Sequence, residues 1–360
     1  MNEEPESQVK IFIKKFEKIL NLLLSLRLKS KDSFTEDVSF LLEKALDHLK
    51  QIDVANSEDH GHSVSIRNQI FKQFFADTLN VTKTSPIHPP IIIFSIKLLN
   101  ELSNTESRFK KSITASPETF AQIQQIITTP LIENAEVKHE LLQFFSSLSK
   151  FHSGCEWIWL SGFLQFITTC LEDRAVFIRK TAQELTTEIL MSLTGNRKKE
   201  VYERLLIPIR TYEAQLNNGL QNRSDGLQLY FSVLENHIEK NFLEKDNRSG
   251  SELAELDVED LLIGVAKKTT SHKCVQMIYS LLVCIYAKCA SEESGNEVKI
   301  KEWEVKTVGI IQQVLDAQSV ATALNVTSKS LFFWSHLSGC KEFQLDLVHI
   351  MVSSTSFWGY

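Results

Sequence analysis

The chain has 360 residues, 43% of them hydrophobic, enough to bury a continuous core, and 39 Lys and Arg against 45 Asp and Glu leave a net charge of −6. That balance excludes a protein that works by neutralising phosphates along a nucleic acid. With only 12 Gly and 7 Pro as punctuation, and no strand-turn-strand signal, the predicted fold class is all-α.

Apolar residues spaced by three and four predict helices over Val9–Leu28, Phe34–Ile52, Ile66–Leu79 and Pro90–Leu102. The start, Met1-Asn2-Glu3-Glu4-Pro5-Glu6, is acidic where a secretory signal would be basic. Between the second and third helices, residues 53–63 (DVANSEDHGHS) are polar and small, a loop. His60 and His62 lie in it, but the segment lacks a second ligand pair, so a solvated loop is expected and not a metal site. Pro89-Pro90 suits the first turn of a helix. The β-branched runs Ile91-Ile92-Ile93 and Ile126-Ile127-Thr128-Thr129 merge with helical patterns and are not followed by hairpin turns. Ser116-Pro117-Glu118 reads as an N-cap with Pro at the first helical position, Phe120–Ile127 continues that helix, and Pro130 ends it.

The centre of the chain carries a repeat. In Leu171-Glu172-Asp173-Arg174-Ala175-Val176-Phe177-Ile178-Arg179-Lys180-Thr181-Ala182 an Asp is followed by an aliphatic-Arg pair and then a small Ala. HEAT and armadillo units have this spacing: the Asp sits in the turn between two antiparallel helices, the Arg reaches back to that turn, and the Ala admits a close neighbour. Asp173, Ile178, Arg179 and Ala182 are therefore the candidate structural residues of the repeat. Val137-Lys138-His139-Glu140-Leu141 repeats the pattern, with Phe144, Phe145 and Leu148 behind it. From Val137 to Ile178 is 178 minus 137, or 41 residues, inside the period of such repeats. The predicted architecture is a right-handed α-solenoid of HEAT/armadillo-like helix pairs, a single domain over residues 1–360.

Further helices are predicted over Val201–Leu216, Gly226–Phe242, Cys274–Cys289, Trp303–Leu315, Ser319–Leu337 and Glu342–Val352. Residues 244–255 (EKDNRSGSELAE) and 291–297 read as polar loops, the former a soft boundary. Arg197-Lys198-Lys199, after Gly195-Asn196, reads as a solvated cap in a turn, as do Arg108, Lys110 and Lys111 near a helix end. The longest apolar run, Met277–Ala287, is shorter than a membrane span.

No catalytic, metal or cofactor pattern emerges. Cys155, Cys170, Cys274, Cys284, Cys289 and Cys340 are scattered through helical segments, as thiols serving as small core residues would be. His272, Cys274, Cys284 and Cys289 cannot all face one ion from a continuous helix. His152 with Cys155, and His336 with Cys340, have helical spacing but no acidic orienter or oxyanion turn. Gly-x-Ser-x-Gly, phosphate-loop and His-Glu-x-x-His motifs are missing. A non-enzymatic scaffold is expected. The other readings are a transport or trafficking adaptor that holds a cargo peptide on a concave face and, more remotely, a hydrolase built on the Cys and His pairs.

Aromatic residues supply the candidate partner contacts. Phe71, Phe74, Phe75, Phe144, Phe145, Phe332 and Phe333 fall where inner helices should pack. Trp157 and Trp159 project to different sides of one helix, so at least one of them is a candidate exposed anchor. Phe357, Trp358 and Tyr360 follow the polar spacer Ser353-Ser354-Thr355-Ser356, and are candidates either to cap the last helix pair or to enter a partner.

The run Ile92-Ile93-Phe94-Ser95-Ile96-Lys97-Leu98-Leu99 and then Thr105-Glu106-Ser107-Arg108-Phe109 resembles the N-terminal region of the BRAT family. Val137–Phe151, Trp157–Phe166 and Phe177–Leu190 are similar to that family's next two helix pairs in spacing and apolar pattern, so the resemblance spans about residues 85–195. It implies a HEAT-type scaffold of nucleus and cytoplasm, without enzymatic activity. The implied partners are proteins of the ATM-dependent DNA-damage response and the endonuclease subunits of the Integrator complex, with no nucleic acid and no membrane. The family's chains are longer, and the C-terminal tail with which they engage the endonuclease does not align with the end of this chain.

Overall fold

The structure, a computed structural model, describes residues 89–353 apart from 219–225, 244–248, 294, 318 and 338–339, and before them Lys18, Leu46, Phe74 to Ala76 and Thr78. The helices predicted over 9–28, 34–52 and 66–79 thus lie almost wholly outside the described residues, as do the loop at 53–63 with His60 and His62, Phe71, and Phe357, Trp358 and Tyr360. Among the described residues every regular element is a helix, as the spacing predicts. They gather into two compact units, residues 1–167 with 174–181, and residues 168–173 with 182–360.

The first unit contains α1 (Pro89–Ser103), α2 (Glu106–Ala115), α3 (Pro117–Ile127), α4 (Ala135–Leu148), α5 (His152–Leu160) and α6 (Phe163–Thr169), the last mostly within it. Pro89 and Pro90 open α1 where missing N–H groups cost nothing. Its face of Ile91, Ile92, Phe94, Ile96, Leu98 and Leu99 is buried. The Ile91-Ile92-Ile93 run is helical because that face is covered, a tertiary effect stronger than β propensity. Thr105 caps α2 by accepting from Arg108 N–H, and Asn134 caps α4 by accepting from the N–H groups of Glu136 and Val137 at 3.0 and 3.1 Å. Ser116 sits at the N-cap of α3, but its hydroxyl makes no capping bond; Pro117 alone sets that start. Pro130 opens a 3-10 turn, Pro130–Glu133. α1 packs on α2 and α4, α2 on α3 and α5, and α4 on α5. Packing between near neighbours in the chain is how helix pairs build a solenoid.

α7 (Val176–Ser192) belongs to the first unit through Thr181 and to the second from Ala182. The second unit continues with α8 (Gly195–Asn217), α9 (Leu227–Leu243), α10 (Ser249–Ala254), α11 (Val258–Lys268), α12 (His272–Glu292), α13 (Glu297–Ala317), α14 (Val320–Ser335) and α15 (Lys341–Ser353). Its axis is α12, on which α9, α10, α11, α13 and α14 all pack. With 21 residues it is longer than the run Met277–Ala287, and by length and composition alone it is apolar enough to cross a membrane; 83% of its most apolar 18-residue stretch is instead buried inside the protein. Five packed neighbours account for the apolarity.

Two expectations are corrected in this unit. Part of the stretch read as a loop, residues 249–254, is the helix α10, with Leu253 fully buried. Its polar residues are used internally: Glu292 of α12 accepts from Gly250 N–H and Ser251 N–H, each at 2.9 Å, and from the Ser251 hydroxyl at 2.6 Å. Arg197-Lys198-Lys199 is no solvated turn. It forms part of the first turn of α8, and Lys198 is 1% exposed.

Candidate functional site

The repeat residues stand at the start of α7. Asp173 follows a 3-10 turn, Cys170–Glu172, in extended backbone (φ −62°, ψ 149°), and its N–H donates to Cys170 O. Arg179 Nη1 donates to Arg174 O at 3.1 Å, so the guanidinium returns to the segment before its own helix. Ile178 and Ala182 are fully buried. A shift of 41 residues (178 minus 137) carries them back to Val137 and Leu141, also fully buried.

Trp157 is engaged in packing. Its half-buried indole meets Phe109, Phe120 and Phe163 at centroid distances of 5.9, 5.3 and 5.0 Å, and Phe144 and Phe145 at 6.3 Å. Five neighbouring rings make it the hub of an aromatic core, not a free anchor. Trp159 is also half-buried. The exposed apolar residue of α5 is Leu160, at 70%. Phe74, Phe75, Phe144, Phe145 and Phe333 are buried as expected, whereas Phe332 is 53% exposed and packs its ring beside His336.

The thiols have the wrong environment for nucleophiles. All six cysteines are buried thiols outside any disulfide. Burial pushes the Cys274 thiol up to about 12, and Cys284, Cys289 and Cys340 upward as well; a reactive cysteine needs the opposite shift. His152 is exposed and lies 3.8 Å from Glu156, while Cys155 is buried with its sulfur 3.2 Å from Ser149 O. His336 Nδ1 lies 2.7 Å from Phe332 O.

The second unit contains a buried polar network that no spacing rule disclosed. His237 Nε2 lies 2.8 Å from both Tyr202 Oη and Asn241 Nδ2, either of which can donate to the single lone pair of that nitrogen in a neutral imidazole. Lys288 donates to Asn241 O at 2.9 Å and lies 3.9 Å from Glu292; Lys198 lies 3.7 Å from Glu252. Burial lowers the Lys198 pKa and raises that of Glu252, and their pairing opposes both shifts. Glu252 and Glu292 also line a cavity of about 810 Å3 with Asn196, Lys199, Glu255 and Trp303. Lys199 pairs with Glu255 at 3.8 Å and Lys299 with Glu293 across the rest of its wall. The cavity lining mixes apolar groups such as Trp303 and Cys289 with charged side chains that are paired to neighbouring ones.

His237 yields a pH prediction. Burial, with Lys198 and Lys288 nearby, holds its pKa well below the usual histidine value. The unfolded chain then binds the proton first, so stability falls as pH drops below about 6.5, by up to about 1.4 kcal/mol per pH unit from this one group. Urea unfolding at a series of pH values should show a shallower acid limb for His237→Gln than for the parent. Equal slopes would refute the assignment.

Outside these sites, the outer helix α15 exposes Leu345, Val348 and Val352 at 69%, 44% and 60%. Their spacing of i, i+3 and i+7 aligns them in one stripe, with Phe343 and Leu347 buried on the other side. α13 exposes Val298 and Val305 at 81% and 67%.

No protein-family model and no curated protein matches the chain. Among solved structures the chain is similar to a computationally designed armadillo repeat protein for modular peptide recognition, at 12% identity and a TM-score of 0.40, over 73% of this chain and 99% of that one. A second designed armadillo repeat protein is similar at 13% identity and a TM-score of 0.38, over 72% and 98% of the two chains. An engineered protein is similar at 11% identity and a TM-score of 0.40, over 88% and 78%.

Proposed function

We propose that this chain is a non-enzymatic protein-interaction scaffold whose partners belong to a nuclear and cytoplasmic complex, namely the Integrator endonuclease subunits or proteins of the ATM-linked damage response. The observation that carries the scaffold reading is the stripe of Leu345, Val348 and Val352 on α15. Three aliphatic side chains aligned on one helix face form a continuous apolar strip in water, the kind of surface that marks a protein contact. The buried, upward-shifted thiols agree with a role outside catalysis. The partner class rests on the resemblance of residues 85–195 to the BRAT family.

Affinity purification of the tagged chain from nuclear and cytoplasmic extracts, read by mass spectrometry, tests both levels. Integrator endonuclease subunits are expected with the parent chain and lost with Leu345→Asp/Val352→Asp, whose helical circular dichroism should be unchanged. Recovery of transport factors instead would replace the partner class with a trafficking role. Recovery unaffected by the double substitution would remove α15 from the contact.

A further inference from the structure

α9 carries Glu235 and Glu239 one turn apart, which places both carboxylates on one helix face. Two other helices converge there: α12 with Cys284, and α14 with Lys329. Lys329 Nζ donates to Glu235 Oε1, and to Glu239 Oε1 at 2.9 Å. One oxygen of each carboxylate and Cys284 Sγ all lie within 4.8 Å of one another. The ammonium therefore marks a position for a cation, formed by the packing of three helices and walled on its inner side by a thiol.

The cluster is closed below and reachable from above. Cys284 is fully buried, while the Lys329 and Glu239 side chains are 30% and 39% exposed. An ion can enter by displacing the flexible lysine stem, without any backbone opening. Hard oxygen donors alone would not distinguish magnesium or calcium from softer metals, but a thiolate beside them does.

We propose that Glu235, Glu239 and Cys284 form a binding site for a thiophilic divalent cation of the zinc class, with Lys329 as its resident competitor. The exchange balances. The ammonium swings to solvent with its proton, the Cys284 thiol releases its proton to solvent, and the metal takes two carboxylate oxygens, the thiolate and a water. Two carboxylates and one ammonium sum to −1; two carboxylates, one thiolate and one divalent cation also sum to −1. The same buried charge in both states is what makes replacement feasible. The donor atoms must contract to the roughly 3.5 Å separations that metal-to-oxygen and metal-to-sulfur bonds of about 2.0 and 2.3 Å impose. Rotation of the two glutamate side chains supplies this, since each has three rotatable bonds and Glu239 faces solvent.

Cadmium is the probe, because its bond to a thiolate gives an ultraviolet charge-transfer band. Titrating the full chain with cadmium, with excess chelator as a baseline, is expected to give a band that saturates at one equivalent and is lost in Cys284→Ser. Lys329→Met is expected to tighten binding at least about tenfold by removing the competitor, and Glu239→Gln to weaken it. Circular dichroism of each variant establishes that it is folded, and Cys284→Ala replaces the serine variant if that one is not. Absence of the band in the parent chain overturns the proposal. A band confined to Lys329→Met also overturns it, because the ion pair then holds the site permanently, and a band surviving in Cys284→Ser assigns the metal to another thiol and overturns it too.

Discussion

Glu292→Ala is expected to lower the unfolding free energy by about 3–5 kcal/mol, the usual cost of removing one partner from a buried, hydrogen-bonded charge pair. The carboxylate is 8% exposed at the end of α12. It accepts two backbone N–H groups and a hydroxyl at the start of α10, and it lies 3.9 Å from the Lys288 ammonium, itself 2% exposed. Alanine takes that carboxylate from the Lys288 ammonium and removes the acceptor of the first N–H groups of α10. The neighbouring residue is the control. Glu293 is 28% exposed and pairs with Lys299, 53% exposed, so Glu293→Ala should cost no more than about 1 kcal/mol. Adding Lys288→Met to Glu292→Ala should recover part of the loss, since the double variant no longer buries an ammonium and so escapes its desolvation cost. Urea unfolding monitored by circular dichroism checks all three. Equal effects at 292 and 293 would show that α10 is not held by this carboxylate.

How much of this was legible in the sequence depended on distance along the chain. The helices were legible because their signal is local: α1 was expected over 90–102 and spans Pro89–Ser103, and α9 was expected over 226–242 and spans Leu227–Leu243. α10 was not, because Ser249, Gly250 and Ser251 open it with poor helix formers, and its first turn is organised by Glu292, 41 residues from Ser251. Lys198 was read as solvated because lysine usually is; its burial follows from Glu252 and the Tyr202 ring beside it. Trp157 was judged from its alternation with Trp159, whereas its surroundings come from α2, α3, α4 and α6. The group of Glu235, Glu239, Cys284 and Lys329 is the extreme case. The i, i+4 carboxylates are visible in sequence, but such pairs are common on solvated faces, and the lysine that selects this one lies 94 residues from Glu235.

Gly154→Ala is expected to destabilise the first unit by about 3 kcal/mol or more, at or beyond the top of the usual overpacking range. In a helix interior the exchange ordinarily stabilises by about 0.5–1 kcal/mol, because glycine has more backbone freedom to lose on folding. Here the sign reverses. A β-carbon on Gly154 would fall 2.1 Å from Leu148 O, 2.8 Å from Leu148 C and 2.8 Å from Phe151 Cε2. Two of those atoms are backbone and cannot rotate away. The junction is also tied by Phe151 N–H to Leu148 O at 3.3 Å, by Gly154 and Cys155 N–H to Phe151 O at 3.1 and 3.2 Å, and by Cys155 Sγ at 3.2 Å from Ser149 O. Relief requires the end of α4 and the start of α5 to separate, which would disturb the packing of Trp157 against Phe144 and Phe145. Gly309, inside α13, has nothing within 4 Å of the corresponding position, so Gly309→Ala should show the ordinary gain of about 0.5–1 kcal/mol. Thermal and urea unfolding of the two variants decide the matter by sign. A neutral Gly154→Ala would mean that the two helices stand further apart at this junction, because the close approach of Leu148 O, Leu148 C and Phe151 Cε2 is what opposes the entropic gain that alanine brings.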